Sequence, residues 1–412
     1  MRLSITCHTL TMVEGAETGS RRILEVNAPL RDAPARGVEP VDVTIPGMNS
    51  FHHRRDVLRG LLATGVALGA ARQLPAAELS RLPRLRVSRE RVIRTVAGLR
   101  PYRPEGFVLR AESLGDQLLV HNYGHGGAGI TLSWGCAQLA ADLLQGRSGQ
   151  PVAVLGGGVM GLTTARELQR RGYEVTIYAK ALPPDTTSNV AGGYWLPVSV
   201  FDGKRIDAAF KLQFERACAL AHRRFQEQVG AEPSIRWLQA FELRTEQAQV
   251  RRRMPGGDEL YPENRTMPNP ERDFGFPFVR GFQTMMIEPH GFLSGLLRDF
   301  YGAGGAVHVR EFHSVFELAA LPESVVVNCT GLGAGALFGD TVITPARGQL
   351  VVLLPQPEID YCYTSPSGYM FPRHDGIVLG GTFEVGRWST DEDPAQVAQI
   401  LAGNAKVARG LR

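Results

Sequence analysis

The sequence has few cysteines, little excess charge and no long apolar run, and each shortage excludes a class of protein. Only five of its 412 residues are cysteine, and no Cys-x-x-Cys pair occurs, which argues against a disulfide scaffold or a zinc ribbon. Lys and Arg number 45 against 41 Asp and Glu, an excess too small for a dedicated nucleic-acid-binding protein. The apolar stretch at residues 60–71 is too short to cross a bilayer as a helix, so we expect no stable membrane insertion.

The front of the chain carries processing patterns rather than a fold. Residues 1–47 mix proline, glycine and charge without apolar periodicity, and we interpret them as disordered or as the product of a start codon placed too early. In residues 48–77, the basic pair Arg54-Arg55 precedes a short apolar stretch and small residues, which is typical of a twin-arginine export signal. We therefore expect export to the periplasm by the Tat translocase. If the segment is an ordinary amphipathic helix, the alternative is a cytoplasmic protein.

Glycine, by contrast, is plentiful and clustered. There are 47 glycines, and 11 of them fall within the 41 residues from His121 to Gly161. Glycine concentrates where backbone must adopt unusual angles or lie directly against a ligand. We therefore expect a binding site in this part of the chain.

The end of that cluster has the order of a dinucleotide-binding unit. Residues 151–155 predict a buried strand, Gly156-Gly-Gly158-Val-Met-Gly161 follows at once, and then come a predicted helix and a second strand. In this β–GxGxxG–α–β arrangement the first glycine permits the turn and the second admits a pyrophosphate. The third lets helix and strand pack closely. The context predicts dinucleotide binding but does not choose between a flavin and a nicotinamide cofactor.

One position departs from this pattern. Near the end of the second strand, where an acidic residue normally meets a ribose hydroxyl, the sequence has Tyr178-Ala179-Lys180. Lys180 is compatible with the 2′-phosphate of NADP, with flavin phosphates or ribose, or with a solvated side chain. These alternatives stay open on the motif alone.

Six further segments carry a more specific signal: Gly98–Pro104, His121–Gly135, Thr186–Pro197, Val326–Gly331, Pro345–Gln349 and Leu379–Phe383. They resemble segments of the D-amino-acid oxidase family of FAD-dependent enzymes, and the resemblance extends roughly from Arg81 to the end of the chain. The resemblance implies an α/β fold in which a Rossmann-type FAD-binding domain is joined to a mixed-sheet substrate domain. The implied FAD-binding parts are about 111–200 and 281–340, and the substrate-domain parts are about 82–110, 201–280 and 341–412.

The order of these segments differs from that family. In an ordinary member, the segments like those around Arg100 and His121 follow the Gly-Gly-Thr-Phe strand and finish the chain, whereas here they precede the first Rossmann strand. This predicts a circular permutation, with residues 143–150 as the new linker and a break between Arg412 and about Leu82. Because chain ends of compact domains often lie close together, we expect these two ends to be neighbours.

The resemblance also implies the roles of individual residues. Arg100 would bind a substrate carboxylate bidentately, Tyr369 would add a hydroxyl donor, and Gly127 would offer its carbonyl to the amino group. Tyr363 would match a second, lid tyrosine. The residues implied for FAD are Gly156, Gly158, Val159, Met160, Gly161, Lys180, Thr186, Thr187, Ser188, Ala191, Gly192, Gly193, Phe312, His313, Gly331, His125, Gly126, Gly127, Ala128, Gly129, Ile130 and Thr131.

His121 and His125 lie four residues apart in a glycine-rich segment that has no third ligand, so we expect no metal site. We expect both side chains to fix the loop through hydrogen bonds.

The function implied is oxidation of a D-amino acid by dioxygen to a 2-oxo acid, ammonia and hydrogen peroxide, with FAD as the cofactor. A homodimer is a further expectation. Leu196 stands where some members place a polar side chain, which favours apolar substrates. Three alternatives stay open: an oxidase or dehydrogenase of glycine, D-aspartate or another amine; a flavin-binding protein without turnover; and, prompted by Lys180, an NADP enzyme.

Overall fold

The computed structural model describes residues 82–269 and 273–410 of the chain. The predicted export signal at 48–77 and residues 1–47 lie outside this range. Within it, no helix is both long and apolar enough to cross a membrane.

Strands and helices alternate along the described chain. The strands are β1 (Val92–Tyr102), β2 (Val108–Leu114), β3 (Gln117–Tyr123), β4 (Pro151–Leu155), β5 (Glu174–Ala179), β6 (Ile235–Arg244), β7 (Arg265–Pro268), β8 (Phe278–Ile287), β9 (Ala306–Val309), β10 (Val325–Asn328), β11 (Thr344–Leu353), β12 (Tyr361–Ser365), β13 (Gly368–Arg373), β14 (Gly376–Gly380) and β15 (Glu384–Val385). The helices are α1 (Gly129–Asp142), α2 (Val159–Arg170), α3 (Ala208–Gln228), α4 (Gln247–Val250), α5 (Pro289–Gly302), α6 (Gly333–Phe338) and α7 (Pro394–Arg409).

The smaller sheet is the dinucleotide-binding layer. Its six strands follow the order β2-β3-β10-β4-β5-β9, and all neighbours run parallel except β2 and β3. The central strands β4 and β10 are almost wholly apolar and buried, as parallel strands covered on both faces must be. The strand, helix and second strand predicted around Gly156–Gly161 are confirmed as β4, α2 and β5.

Helices α1 and α3 pack together beside this sheet. At Gly135 of α1, an added Cβ would lie 1.9 Å from the carbonyl oxygen of Ala217 in α3, so the two backbones approach as closely as glycine allows. Asp207 caps α3 by accepting from the amide of Phe210 at 2.7 Å. Although residues 201–280 were expected in the substrate domain, α3 therefore packs with a helix of the cofactor layer.

The larger sheet has nine strands and is mixed, as expected for the substrate domain. Its main path is β1-β11-β14-β13-β12-β6-β8-β7, with β15 paired to β11, and only β12 and β6 run parallel. Strand β8 belongs to this sheet, although the segment from 281 was expected in the cofactor domain. The predicted α/β class, with a Rossmann-type layer and a mixed sheet, is confirmed.

The two ends of the described chain lie against the same part of the larger sheet. The Tyr361 hydroxyl donates to the carbonyl of Pro83 at 2.9 Å, near the first described residue. The amide of Phe274 donates to the carbonyl of Gly410, the last described residue, at 3.0 Å. The rings of Phe274 and Tyr361 are only 6.2 Å apart, so the ends are neighbours, as a permuted order requires.

Candidate active site

A cavity of about 640 Å³ opens between the carboxyl ends of the smaller sheet's strands and the inner face of the larger sheet. This volume falls within the roughly 300–1,000 Å³ usual for ligand sites. All the residues predicted for the site line the cavity except Gly161, Ala128, His313 and Tyr363. The cavity has two ends of different construction, which we call the nucleotide end and the substrate end. The nucleotide end is lined by Gly156–Met160, and the substrate end by Arg100 and Tyr369.

Glycine backbone forms the nucleotide end. Gly156 has φ 116°, and a Cβ there would lie 2.5 Å from the carbonyl oxygen of Cys329 in the segment after β10. A Cβ on Gly161 would lie 1.9 Å from the carbonyl oxygen of Gly156, so this glycine serves close packing of α2 rather than the cavity surface. Gly158, Val159 and Met160 at the start of α2 line the cavity, and the N-terminus of a helix favours phosphate.

A polar loop closes the other side of this end. The Ser188 hydroxyl accepts from the amide of Val159, the first residue of α2, at 3.0 Å. Thr186, Thr187 and Gly192 of the same loop also line the cavity. The loop predicted to contact flavin therefore meets the glycine turn, and the two together form a cradle that fits a dinucleotide pyrophosphate.

His125 places an unpartnered imidazole at the cavity wall. Its side chain is buried and stacks on Phe107 with the ring centroids 4.8 Å apart. Burial lowers its pKa to about 3, so the ring is neutral at working pH. Neither ring nitrogen meets a hydrogen-bond partner among the described residues, contrary to the expectation that His125 fixes the loop by hydrogen bonds. Buried ring nitrogens without a partner are rare, and a bound group with polar edges, such as a flavin, could supply one.

His121 behaves as expected. Its Nδ1 lies 3.0 Å from the Asn328 amide nitrogen, and its Nε2 lies 3.0 Å from a carboxylate oxygen of Glu112. Both ring nitrogens are therefore occupied, and the side chain ties β3 to β10 and β2. Among the described residues, no group of three His, Cys, Asp or Glu side chains could hold a metal ion.

Arg100 dominates the substrate end. It lies on β1, and its guanidinium is 5.6 Å from the centre of the Phe383 ring. Its Nη1 is 3.5 Å from the carbonyl oxygens of both Ala346 and Thr382, and no carboxylate within the described ranges forms an ion pair with it. A half-buried cation whose partners are carbonyls and the Tyr369 hydroxyl is ready to bind an anionic group.

Gly348 makes room for Arg100, and Gly127 lies beside it. On the neighbouring strand β11, a Cβ at Gly348 would lie 2.2 Å from Nη1, so only glycine leaves space for the guanidinium. On the other side, a Cβ at Gly127 would lie 3.6 Å from the Arg100 Cδ. Gly127 is held by its amide, which donates to the carbonyl of Ser199 at 3.0 Å. The two residues implied for carboxylate and amino group are therefore adjacent.

Tyr369 lies beside Arg100 at the start of a stack of aromatic rings. Burial raises the pKa of its hydroxyl, and the hydrogen bond with the Arg100 guanidinium opposes that shift. Its ring stacks on Phe371 at 4.7 Å, and Phe371 stacks on Tyr194 at 4.9 Å. With Leu196, which also lines the cavity, these rings give the substrate end an apolar wall.

Four predicted residues lie away from the cavity surface. Tyr363 is fully buried on the opposite face of the sheet, where its hydroxyl donates to Asn404 of α7 at 2.8 Å. It cannot serve as a lid tyrosine there, which corrects the expectation. Ala128 is buried, and His313 is exposed with its backbone amide bonded to Glu317, so neither lines the site. Gly161 acts through packing, as described above.

The register of β12 and β13 explains the difference between the two tyrosines. Thr364 pairs with Tyr369, and both line the cavity. Tyr363 pairs with Met370, and both belong to the core cluster beneath α7. Successive residues of a strand face opposite sides, so Tyr363 and Tyr369 must point to different faces.

Several lining residues were not anticipated from the sequence: Gly348, Tyr194, Thr364, Phe371, Trp388, Arg310 and Glu311. The segment that holds Trp388 is anchored by Arg347, which is fully buried and donates to Glu384 at 2.8 Å and to the carbonyl of Ser389 at 3.0 Å. The Pro345–Gln349 resemblance drew attention to this stretch. It gave no sign that Gly348 and Arg347 serve the cavity.

A family model and several known proteins match this chain. The model of the DAO family, described as FAD dependent oxidoreductase, matches residues 63–143 and 151–411. The D-amino-acid oxidase of Rubrobacter xylanophilus is 33% identical over 268 residues, which cover 63% of this chain and 77% of that protein. The D-amino-acid oxidase of Streptomyces coelicolor is 34% identical over 278 residues, 64% of this chain and 79% of its own length. The D-aspartate oxidase of Homo sapiens is 30% identical over 257 residues, which cover 61% of this chain and 74% of that protein.

Proposed function

Because this chain belongs to the DAO family of FAD-dependent oxidoreductases, we propose that it oxidises free D-amino acids with dioxygen. The family assignment confirms an FAD-dependent enzyme that acts on CH–NH₂ donors. In the proposed reaction, a D-amino acid, dioxygen and water give a 2-oxo acid, ammonia and hydrogen peroxide. The observation that carries the proposal is the unpaired Arg100 guanidinium in the cavity, next to Gly127 and the Tyr369 hydroxyl.

The residues of the substrate end divide the binding work. The planar Arg100 fork suits both oxygens of a carboxylate, and the Tyr369 hydroxyl donates to the same group. The Gly127 carbonyl accepts from the substrate amino group. Together these contacts fix the Cα–H direction, and no side chain is required as a general base if the amine binds in its neutral form. When bound, FAD supplies the two-electron acceptor that dioxygen regenerates.

The wall of the substrate end supports an apolar side chain on the substrate. Tyr194, Leu196 and Phe371 line this end, and Arg100 is its cation. The other cations that line the cavity, Lys180 and Arg310, lie next to the nucleotide end. An acidic substrate side chain would face these rings without a second positive charge. We therefore propose D-alanine, D-valine and larger apolar D-amino acids over D-aspartate.

Anaerobic bleaching of the flavin tests this proposal directly. The yellow holoenzyme is mixed without oxygen with a panel of D- and L-amino acids, glycine and D-aspartate, and absorbance near the flavin maximum is followed. We expect rapid bleaching by apolar D-amino acids and none by their L-isomers. Bleaching by glycine or D-aspartate alone would show that the substrate is that amino acid and not an apolar D-amino acid. Bound flavin that no amino acid bleaches would indicate a flavin-binding protein without turnover.

Admitting oxygen or a redox dye afterwards separates the two enzyme types. An oxidase regains its colour in air and releases hydrogen peroxide in proportion to the amino acid consumed. A dehydrogenase regains colour only with the dye.

We also propose that the chain is circularly permuted relative to ordinary members of its family. The family match is interrupted at the linker around residues 144–150, and the single alignments with relatives cover 61–64% of this chain. The second matched segment, 151–411, is about that long. The proximity of Pro83 and Gly410 to one aromatic pair supports the same proposal.

A further inference from the structure

The nucleotide end lacks an acidic residue where dinucleotide-binding folds usually have one. In such folds a carboxylate at the end of the second strand accepts hydrogen bonds from a ribose hydroxyl. Here β5 ends at Ala179, and Lys180 follows. The ribose of a bound FAD would therefore meet a cation at this position instead of an acceptor.

An acidic side chain reaches the same place from the adjacent strand. Strand β9 runs parallel to β5, with Val309 opposite Ala179, and the amide of Arg310 donates to the carbonyl of Ala179 at 3.0 Å. Glu311 follows, and its Oε1 lies 3.0 Å from the Lys180 Nζ. Both residues line the cavity. The carboxylate therefore comes from the segment after β9 instead of the end of β5, and an ion pair holds it beside Lys180.

The neighbouring cation does not compete for this carboxylate. Arg310 lies with its guanidinium 4.4 Å from the centre of the Phe312 ring, and its Nη2 is 3.4 Å from a Glu317 oxygen. Lys180 is therefore the cation that faces Glu311. Because the Glu311 and Lys180 side chains are well exposed, their ion pair contributes little to the stability of the fold.

One other acidic residue, Asp185, lines the cavity. It belongs to the loop that continues into Ser188, whose hydroxyl binds the first amide of α2. That location is beside the expected pyrophosphate, where a carboxylate would repel the cofactor. Glu311 is therefore the acidic residue placed for the ribose.

We propose that Glu311 accepts a hydrogen bond from a hydroxyl of the adenosine ribose of FAD, and that Lys180 is a positioning residue that holds the carboxylate there. The inference rests on FAD as the cofactor but not on which amine the enzyme oxidises. It also gives Lys180 a role other than recognition of a 2′-phosphate, because its charge is committed to Glu311.

The test compares FAD with FMN, which lacks the adenosine. Apoprotein of the full chain is titrated with each flavin, and quenching of flavin fluorescence gives the two dissociation constants. For Glu311→Gln we expect the Kd for FAD to rise about tenfold or more, as loss of a charge-assisted hydrogen bond does, while the Kd for FMN changes less than about twofold. An unchanged Kd for FAD, or an equal rise for both flavins, would overturn the proposal.

Two controls locate the effect. Glu358→Gln removes a comparable exposed glutamate, one that pairs with Arg86 at 2.6 Å away from the cavity, and should leave both constants unchanged. Asp185→Asn addresses the other acidic lining residue. If that variant, and not Glu311→Gln, weakens FAD selectively, the assignment to Glu311 is wrong.

The role of Lys180 has its own readout. Lys180→Gln should weaken FAD by a smaller factor, about threefold, and Lys180→Arg should restore binding because it restores the ion pair. A merely structural lysine would not show this rescue together with unchanged FMN binding. Since no substrate is added, failure of the proposed amine oxidation would leave these results unaffected.

Discussion

The two ends of the cavity are built from different parts of the polypeptide. At the nucleotide end, the turn expected against the pyrophosphate is made of backbone, and its determining residues are Gly156 and Gly161, which have no side chain. At the substrate end, the determining groups are the side chains of Arg100 and Tyr369, held by a neighbouring strand and by stacked rings. Backbone sites depend on local order along the chain, whereas side-chain sites depend on which strands become neighbours. Substitutions at the two ends should therefore separate cofactor binding from substrate binding.

The largest effect is expected for Arg100→Ala. Loss of two charge-assisted hydrogen bonds to a carboxylate should raise the KM for D-amino acids about 100- to 1,000-fold, about 3–4 kcal/mol. The Kd for FAD should stay unchanged, and steady-state kinetics with flavin titration measure both. Arg94→Ala is the matched control on β1, since that side chain pairs with Asp375 away from the cavity. If Arg100→Ala also released the flavin, the two ends would not be separable.

A smaller effect, on the Kd for FAD instead of the KM, is expected for Gly161→Ala. The added methyl would meet the carbonyl of Gly156 at 1.9 Å, so α2 must shift and the Kd for FAD should rise about 10- to 100-fold. Gly302→Ala is the control, because this glycine is the last residue of α5, lies outside the cavity lining, and its methyl would meet nothing within 4 Å. Flavin content per protein and fluorescence titration report the difference. Equal losses in both variants would contradict the packing role given to Gly161.

The smallest effects are expected for two tyrosines six residues apart, of which one should change KM and the other the stability of the fold. Tyr369→Phe removes a hydroxyl donor from the substrate end and should raise KM about two- to tenfold. Tyr363→Phe removes the partner of Asn404 and should lower the free energy of unfolding by about 1 kcal/mol while KM stays unchanged. Kinetics and chemical denaturation measure the pair. A raised KM in Tyr363→Phe would show that Tyr363 contacts the substrate after all, as a lid tyrosine would.

The contrast between the ends also explains how far the sequence could be interpreted. The strand, glycine turn and helix around Gly156 are consecutive, so their order alone predicted β4, α2 and β5. The role of Tyr363 depended on the pairing of β12 with β13, which no local pattern reveals. Gly348 and Glu311 depend likewise on neighbours distant in the chain, Arg100 and Lys180, and became visible only when strands were adjacent.

The position of β10 has a consequence for how the protein is made. In the smaller sheet β10 lies between β3 and β4, although the chain passes from β3 through α1 to β4 long before it reaches Val325. A growing chain that has not yet reached Val325 leaves the facing edges of β3 and β4 unpaired. Cys329, against which Gly156 packs, is missing as well. During synthesis, the nucleotide end is therefore completed late, and capture of the cofactor has to await most of the polypeptide even though its glycine motifs emerge early.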